Sequence, residues 1–241
     1  LTDRLQTTEN ARRRFVSDAS HELKTPLAGI RLLTDSILQT DHMDEATTKE
    51  FVSDIGREAE RLSRITENLL RLTRLDSGVV QQPYPVAVQP VLERVERMLA
   101  MVAQEKGVTL SGHADEDAVA MATDDDVHQI LYNLMENAIK YSAAENGFVR
   151  AEARVEGESV VITVSDNGIG IPDEDLEHVF DRFYRVDKMR SREVGGTGLG
   201  LSIVKDTIEN RGGTIAAAHN PDGVGTMFIV RLPLAERGEG T

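Results

Sequence analysis

Residues 194–201 read Val-Gly-Gly-Thr-Gly-Leu-Gly-Leu and stand directly before a stretch of helical periodicity, 199–211. Four glycines and a threonine in that place offer bare backbone N–H groups to an anion at a helix N-terminus. The same residues exclude two common phosphate loops. No Gly-Lys-Ser/Thr follows, so this is not a Walker A loop. The preceding residues are charged and loop-like, whereas a dinucleotide fingerprint follows its strand directly. The fold must then be read from what surrounds the loop.

Strand-like runs fall near 108–111, 118–122, 148–155, 159–165, 214–219 and 226–232, and helical stretches near 91–106 and 124–142. Strands interleaved with helices predict an α/β sandwich, one sheet with helices on one face. Asp166-Asn-Gly-Ile-Gly170 ends one strand, placing an acceptor beside glycines that permit close backbone approach; alone it reads equally as a turn. On the 124–142 helix, Val127, Leu131, Leu134 and Ala138 follow core spacing, while Asn133, Asn137 and Lys140 form a polar stripe. An Asn carbonyl can ligate Mg²⁺ and Lys can face phosphate oxygens; a solvated helix face is the ordinary alternative. Phe180-Asp-Arg-Phe-Tyr-Arg185 and the basic run to Arg192 lead into the glycine loop and read as a lid over phosphates. Gly223-Val-Gly-Thr226 opens the last strand and resembles a hairpin turn.

Before residue 86 the pattern is different. Residues 1 to about 39 form one predicted helix and residues 48–76 a second, stopped by Ser77-Gly78. Ile55, Leu62 and Leu69 recur every seven residues, as do Phe51, Ile65 and Leu72 if Glu58 is one interruption. A two-helix hairpin cannot cover such seams alone, so a homodimer forming a four-helix bundle is expected. The fold class is therefore α+β. A dimerising hairpin spans 1–78, a linker spans 79–85 and contains Gln82-Pro-Tyr-Pro85 as a stiff turn, and the sandwich spans 86–241.

The first helix carries Phe15-Val-Ser-Asp-Ala-Ser-His-Glu-Leu-Lys-Thr-Pro-Leu27. His21 has a carboxylate, Glu22, beside it and a hydroxyl, Thr25, one helical turn on. Pro26 cannot donate to the Glu22 carbonyl, which predicts a bend. These are the parts of a nucleophilic imidazole, a base and a hydroxyl able to place a water.

Composition sets the outer limits. A net charge of −14 argues against a broad nucleic-acid or anionic-membrane surface. Without cysteine there is no disulfide, thiolate metal site or cysteine nucleophile. No apolar run approaches the roughly 20 residues of a membrane span. The chain begins at Leu1, so a fragment is expected, with room for a membrane anchor upstream.

The order of these motifs resembles the sensor histidine kinases of two-component systems, over nearly the whole chain. The His21–Leu27 segment resembles the family's phosphoacceptor box, Asn133–Ser142 its asparagine box, and Asp166–Gly170, Phe180–Tyr184, Gly196–Gly200 and Gly223–Thr226 its remaining ATP-site motifs. The resemblance implies a gyrase-type (Bergerat) ATP fold and ATP and Mg²⁺ as cofactors. Asp166, supported by Thr226, would take the adenine amino group, with Gly168 and Gly170 close by. Asn137 would ligate Mg²⁺, with Asn133 nearby. Lys140, Tyr141 and the loop Gly196, Thr197, Gly198, Leu199 and Gly200 would meet the phosphate side, and Arg185 and Arg182 the γ-phosphate. His21 would attack that phosphate, with Glu22 taking the ring proton. The phosphoryl group would pass to an aspartate in the receiver domain of a response regulator, and Thr25 would assist its later hydrolysis. The resemblance also implies that this chain is the cytoplasmic portion of an inner-membrane sensor protein, with a sensor or membrane anchor upstream.

Overall fold

The computed structural model describes residues 2–40, 42–76, 81–143, 145–186 and 196–236. The expected stop at Ser77-Gly78 and the basic lid 187–192 lie outside them. Helix α1 (Thr2–Gln39) and helix α2 (Glu45–Asp76) form the hairpin. α2 starts three residues earlier than the periodicity predicts because Asp44 caps it. Its carboxylate accepts from the Thr47 N–H at 2.9 Å and from the Thr47 hydroxyl at 2.6 Å. α1 runs on through Pro26, which is buried.

The sandwich begins earlier than residue 86. Strand β1 (Tyr84–Ala87) pairs antiparallel with β3 (Val119–Ala122), so Tyr84-Pro85, read from sequence as a stiff turn, is half of a two-stranded edge. Proline is tolerated there because an edge strand leaves some N–H positions without a ladder partner. The main sheet contains β2 (Val108–Ala114), β4 (Gly147–Glu156), β5 (Ser159–Asp166), β6 (Thr214–His219) and β7 (Thr226–Pro233). Its order is β2-β4-β5-β7-β6, with only the β2–β4 pair parallel.

Helices α3 (Val88–Glu105), α4 (Asp124–Tyr141) and α5 (Gly200–Asn210) cover one face, α3 against β2 and β4, α4 against β4 and β5, α5 against β6 and β7. Val91, Val95 and Leu99 of α3 and Ile130, Leu131 and Leu134 of α4 pack on Val149, Ala151, Ile162 and Val164 in one core. Along β4 buried and exposed residues alternate, so the other face of this strand meets water. A capping box sets the start of α4: the Thr123 hydroxyl accepts from the Asp126 N–H, and the Asp126 carboxylate accepts from the Thr123 N–H.

The hairpin packs on the sandwich. Leu72 of α2 is fully buried with Leu199 and Ile203 of the α5 region, and Phe15, Leu69, Leu75 and Phe183 surround them. Arg211 ties Asp126 and the Gln81 carbonyl together at 2.8 and 2.7 Å. This corrects one expectation. Ile65 and Leu72, read as seam positions needing a second copy, are already buried within the chain. The heptad period was real, but its lower end faces the sandwich. A different stripe of α2 stays exposed: Val52, Gly56, Ala59, Ser63, Thr66 and Leu70, in alternating steps of four and three.

Candidate functional site

α4, the end of β5 and the start of α5 enclose a cavity of about 370 Å³. Its two ends differ in chemistry. At one end is Asp166, buried at the tip of β5. Its Oδ1 accepts from the Gly168 N–H at 2.8 Å and the Thr226 N–H at 3.3 Å. Both bonds fall on one oxygen, so the other remains for a ligand donor. Burial pushes the Asp166 carboxyl above its ordinary range, and the two backbone bonds oppose that shift. The Asn220 amide holds the Asp166 carbonyl at 2.8 Å. A side chain at Gly168 would meet the Tyr141 carbonyl at 1.9 Å, so only glycine lets this turn lie against α4. Gly170, Thr226, Ile171 and Phe228 complete this end.

The other end is cationic. Asn133, Asn137, Lys140 and Tyr141 reach it from α4, and Gly196, Thr197, Gly198 and Gly200 form the facing rim, with Arg185 beside them. The Asn133 amide donates to the Gln129 carbonyl at 2.8 Å, which fixes its orientation. Burial, chiefly, lowers Lys140 to about 8; Arg185, Arg64 and Lys106 add to the effect and Glu136 opposes it. Gly198 adopts φ 69°, and a side chain there would strike the Phe183 backbone at 2.9 Å, so the loop and the Phe183 turn fit only with glycine.

The remaining sequence-predicted residues stand elsewhere. Gly168 and Leu199 lie behind the cavity wall; Leu199 is fully buried against Leu72. Arg182 does not line the cavity. It bonds Asp76 and Asp206 instead, and it is held charged by them. That arrangement leaves Arg185, not Arg182, as the arginine of the Phe180–Arg185 segment that faces the site. His21 and Thr25 are exposed on α1, and Glu22 is partly covered; none borders the cavity. The Thr25 hydroxyl donates to the His21 carbonyl at 3.2 Å. Glu22 is paired with Arg61 of α2 at 3.4 Å. Sequence reading missed Arg64, Asn68 and Lys106 in the cavity wall. No local pattern marks them: Arg64 and Asn68 reach the cavity only through the packing of hairpin on sandwich, and Lys106, at the end of α3, only through the packing of α3 beside α4, where its ammonium donates to the Lys140 carbonyl at 3.2 Å.

Such a structure is an α/β sandwich with a cavity that is acidic at one end and cationic at the other, joined to a hairpin that displays a histidine. Residues 122–236 match the family described as "Histidine kinase-, DNA gyrase B-, and HSP90-like ATPase", and residues 11–78 match the "His Kinase A (phospho-acceptor) domain". The chain is 35% identical to the sensor histidine kinase WalK of Bacillus subtilis over 96% of its own length and 38% of that protein's. It is 37% identical to the sensor-like histidine kinase SenX3 of Mycobacterium tuberculosis over 93% of its length and 54% of that protein's. It thus spans about half or less of these relatives. The histidine kinase ThkA, solved in complex with the response regulator protein TrrA, superposes with a TM-score of 0.72 at 20% identity, covering 98% of this chain and 67% of that one. The chain belongs to the sensor histidine kinases of two-component systems. No helix among the described residues is long and apolar enough to cross a membrane.

Proposed function

We propose that the chain binds ATP with Mg²⁺, phosphorylates its own His21 and passes the phosphoryl group to a response-regulator aspartate. The observation that carries this reading is the polarity of one cavity: a buried carboxylate acceptor, Asp166, at one end and a cluster of cations at the other. An adenine amino group fits the first and a triphosphate the second. Among the described residues there is no group of three or more His, Cys, Asp or Glu side chains that could hold a metal. A magnesium ion bound largely by phosphate oxygens and water needs only one or two protein ligands, and the Asn137 carbonyl, with Glu136 nearby, suits that role. When bound it neutralises charge on the transferring phosphoryl group.

The chain's own residues supply the rest. Lys140 and Arg185 neutralise phosphate charge and orient the chain of phosphates. The unprotonated ring nitrogen of His21 forms a bond to the γ-phosphorus as the bond to the β,γ-bridging oxygen breaks and ADP leaves. Glu22 accepts the proton from the other ring nitrogen, releasing its hold on Arg61 as it does so. Since His21 lies outside the cavity, the sandwich must shift along the hairpin for transfer and withdraw for the regulator to dock. Thr25 is proposed to position water for hydrolysis of the regulator's phosphoaspartate.

A homodimer is the proposed assembly. The exposed α2 stripe from Val52 to Leu70, with Leu27 and Leu38 exposed on α1, has coiled-coil spacing and small residues that allow close helix approach. A second copy of the same hairpin satisfies it. The deciding experiment is incubation with γ-labelled ATP: acid-labile, base-stable label on the wild type and none on His21→Gln supports the kinase. Steady ATP hydrolysis without protein labelling would instead favour an ATPase clamp.

A further inference from the structure

Four cations surround the phosphate end of the cavity: Lys106, Lys140 and Arg185 from the sandwich and Arg64 from α2 of the hairpin. Among the described residues that line that end, Glu136 is the one carboxylate. Arg64 lines the cavity together with Asn133, Glu136, Asn137 and Lys140 of α4, and its charge is among those that lower Lys140. Arg64 has no hydrogen-bond or ion-pair partner among the described residues. Neighbouring arginines of α2 are committed: Arg57 to Asp54, and Arg61 to Glu22 and Glu58. Asn68, one helical turn beyond Arg64 on the same face, lines the same cavity. In a chain of net charge −14, four cations gathered at one end of a cavity attract a polyanion there.

We propose that the hairpin supplies part of the nucleotide site: Arg64, assisted by Asn68, contacts the polyphosphate of a nucleotide held in the sandwich. This rests on the ATP reading above and adds a positioning residue that lies outside every sequence motif. Guanidinium presents a rigid fork of donors matched to phosphate oxygens, so the bound nucleotide bridges the two halves of the chain. Arg64 is three residues from Arg61, about 4.5 Å of helix rise, and Arg61 holds Glu22. The bridge therefore fixes the phosphates close to the level of the phosphoacceptor turn. Each phosphate lost from the nucleotide removes charge that Arg64 can meet, so the triphosphate holds the halves together more strongly than the diphosphate.

The test uses the whole chain, with affinities for Mg-ATP, Mg-ADP and adenosine measured by calorimetry for wild type, Arg64→Ala and Arg64→Lys. Arg64 is partly in solvent, so a loss of about tenfold for ATP is expected on Arg64→Ala, a smaller loss for ADP, and no change for adenosine. Arg64→Lys should recover part of the ATP affinity, since it restores charge without the fork. Unaltered ATP affinity in Arg64→Ala, or equal losses for ATP and adenosine, would overturn the inference. If Arg64→Ala does not fold, Arg64→Gln is compared with Arg64→Lys on the same three ligands. A wild-type chain that binds no ATP sinks the ATP reading itself, whereas wild-type binding with an indifferent Arg64 sinks only the bridge.

Discussion

Arg182 grips Asp76 with two hydrogen bonds, 3.1 and 2.8 Å, across 106 positions of sequence, and a third bond at 2.9 Å ties it to Asp206. Its guanidinium also lies 5.4 Å from the centre of the Phe15 ring, and Phe15 in turn lies 5.9 Å from Phe183. One side chain thus joins both helices of the hairpin to α5 and to the turn that precedes the nucleotide loop. Arg182→Ala is expected to loosen this docking without unfolding either half. The ion pairs are partly exposed, so the loss is about 1 kcal/mol after screening. Faster amide exchange in α5 and around Leu72, with unchanged protection of β4 and β5, is the expected readout; uniform protection throughout would show that Arg182 holds nothing.

Asp166→Asn should weaken ATP and adenosine binding together, since the proposed reading sets this acceptor against the base. A charge-assisted hydrogen bond of roughly 1.5–3 kcal/mol corresponds to about 10- to 150-fold in affinity. Calorimetry with both ligands checks this, and unchanged adenosine affinity places the base elsewhere in the cavity. The contrast with Arg64→Ala, which should spare adenosine, makes the two ends of the cavity separable.

Lys140 gives a pH signature. Its folded pKa is lowered from 10.5 to about 8, so the free chain loses this proton as pH rises through about 8. A bound polyphosphate favours the charged form and restores the proton. ATP binding near that pH should therefore take up protons, and affinity should fall as pH rises further. For the nucleotide-free chain, stability should rise from about pH 8 towards 10.5, where the unfolded state holds a proton the folded state has released. Titration calorimetry in buffers of different ionisation enthalpy measures the uptake. Equal uptake in wild type and Lys140→Met would assign it to another group.

Glu22 and Thr25 should separate two chemistries. A carboxylate can take the His21 proton at neutral pH, whereas a hydroxyl cannot. Glu22→Ala should slow autophosphorylation more, and Thr25→Ala should mainly slow dephosphorylation of an independently phosphorylated regulator. The Thr25 hydroxyl already bonds the His21 carbonyl, so its loss also touches the turn that carries the histidine. Equal damage to both rates by both variants would reduce the pair to a structural role.

Ala59 sits in the middle of the exposed α2 stripe. Ala59→Arg should convert a dimer into a monomer, by steric and like-charge conflict across the proposed two-fold axis. Sedimentation at several concentrations tests it. An unchanged association state would move the dimer contact to another face of the hairpin.

Much of this molecule can be read locally. The 3.6-residue and two-residue periods mark α3, α4 and strands β4 and β5 within a few residues, because each buries one face in a core formed within the sandwich. Gly168 and Gly198 are legible for a related reason: a turn pressed against another backbone tolerates no side chain, and that demand is written at a single position. Start and stop signals were less complete. Asp44 was not read as the cap of α2, and Tyr84-Pro85 looked like a turn because its partner, Met121-Ala122, lies some 37 residues away.

The sequence by itself determined the helical hairpin, the sandwich, the order of the motifs and the polarity of the α4 stripe, since these depend on propensity, period and residue chemistry within short windows. Only the tertiary structure decided that Arg182 turns to Asp76 rather than to the cavity, that Leu72 is covered by Leu199 and Ile203 rather than left for a second copy, and that Arg64 joins the lining of the cavity. Those facts depend on how two separately patterned units pack together. The free energy of that contact is shared among a few apolar side chains and ion pairs far apart in the chain, and no local window of sequence contains it.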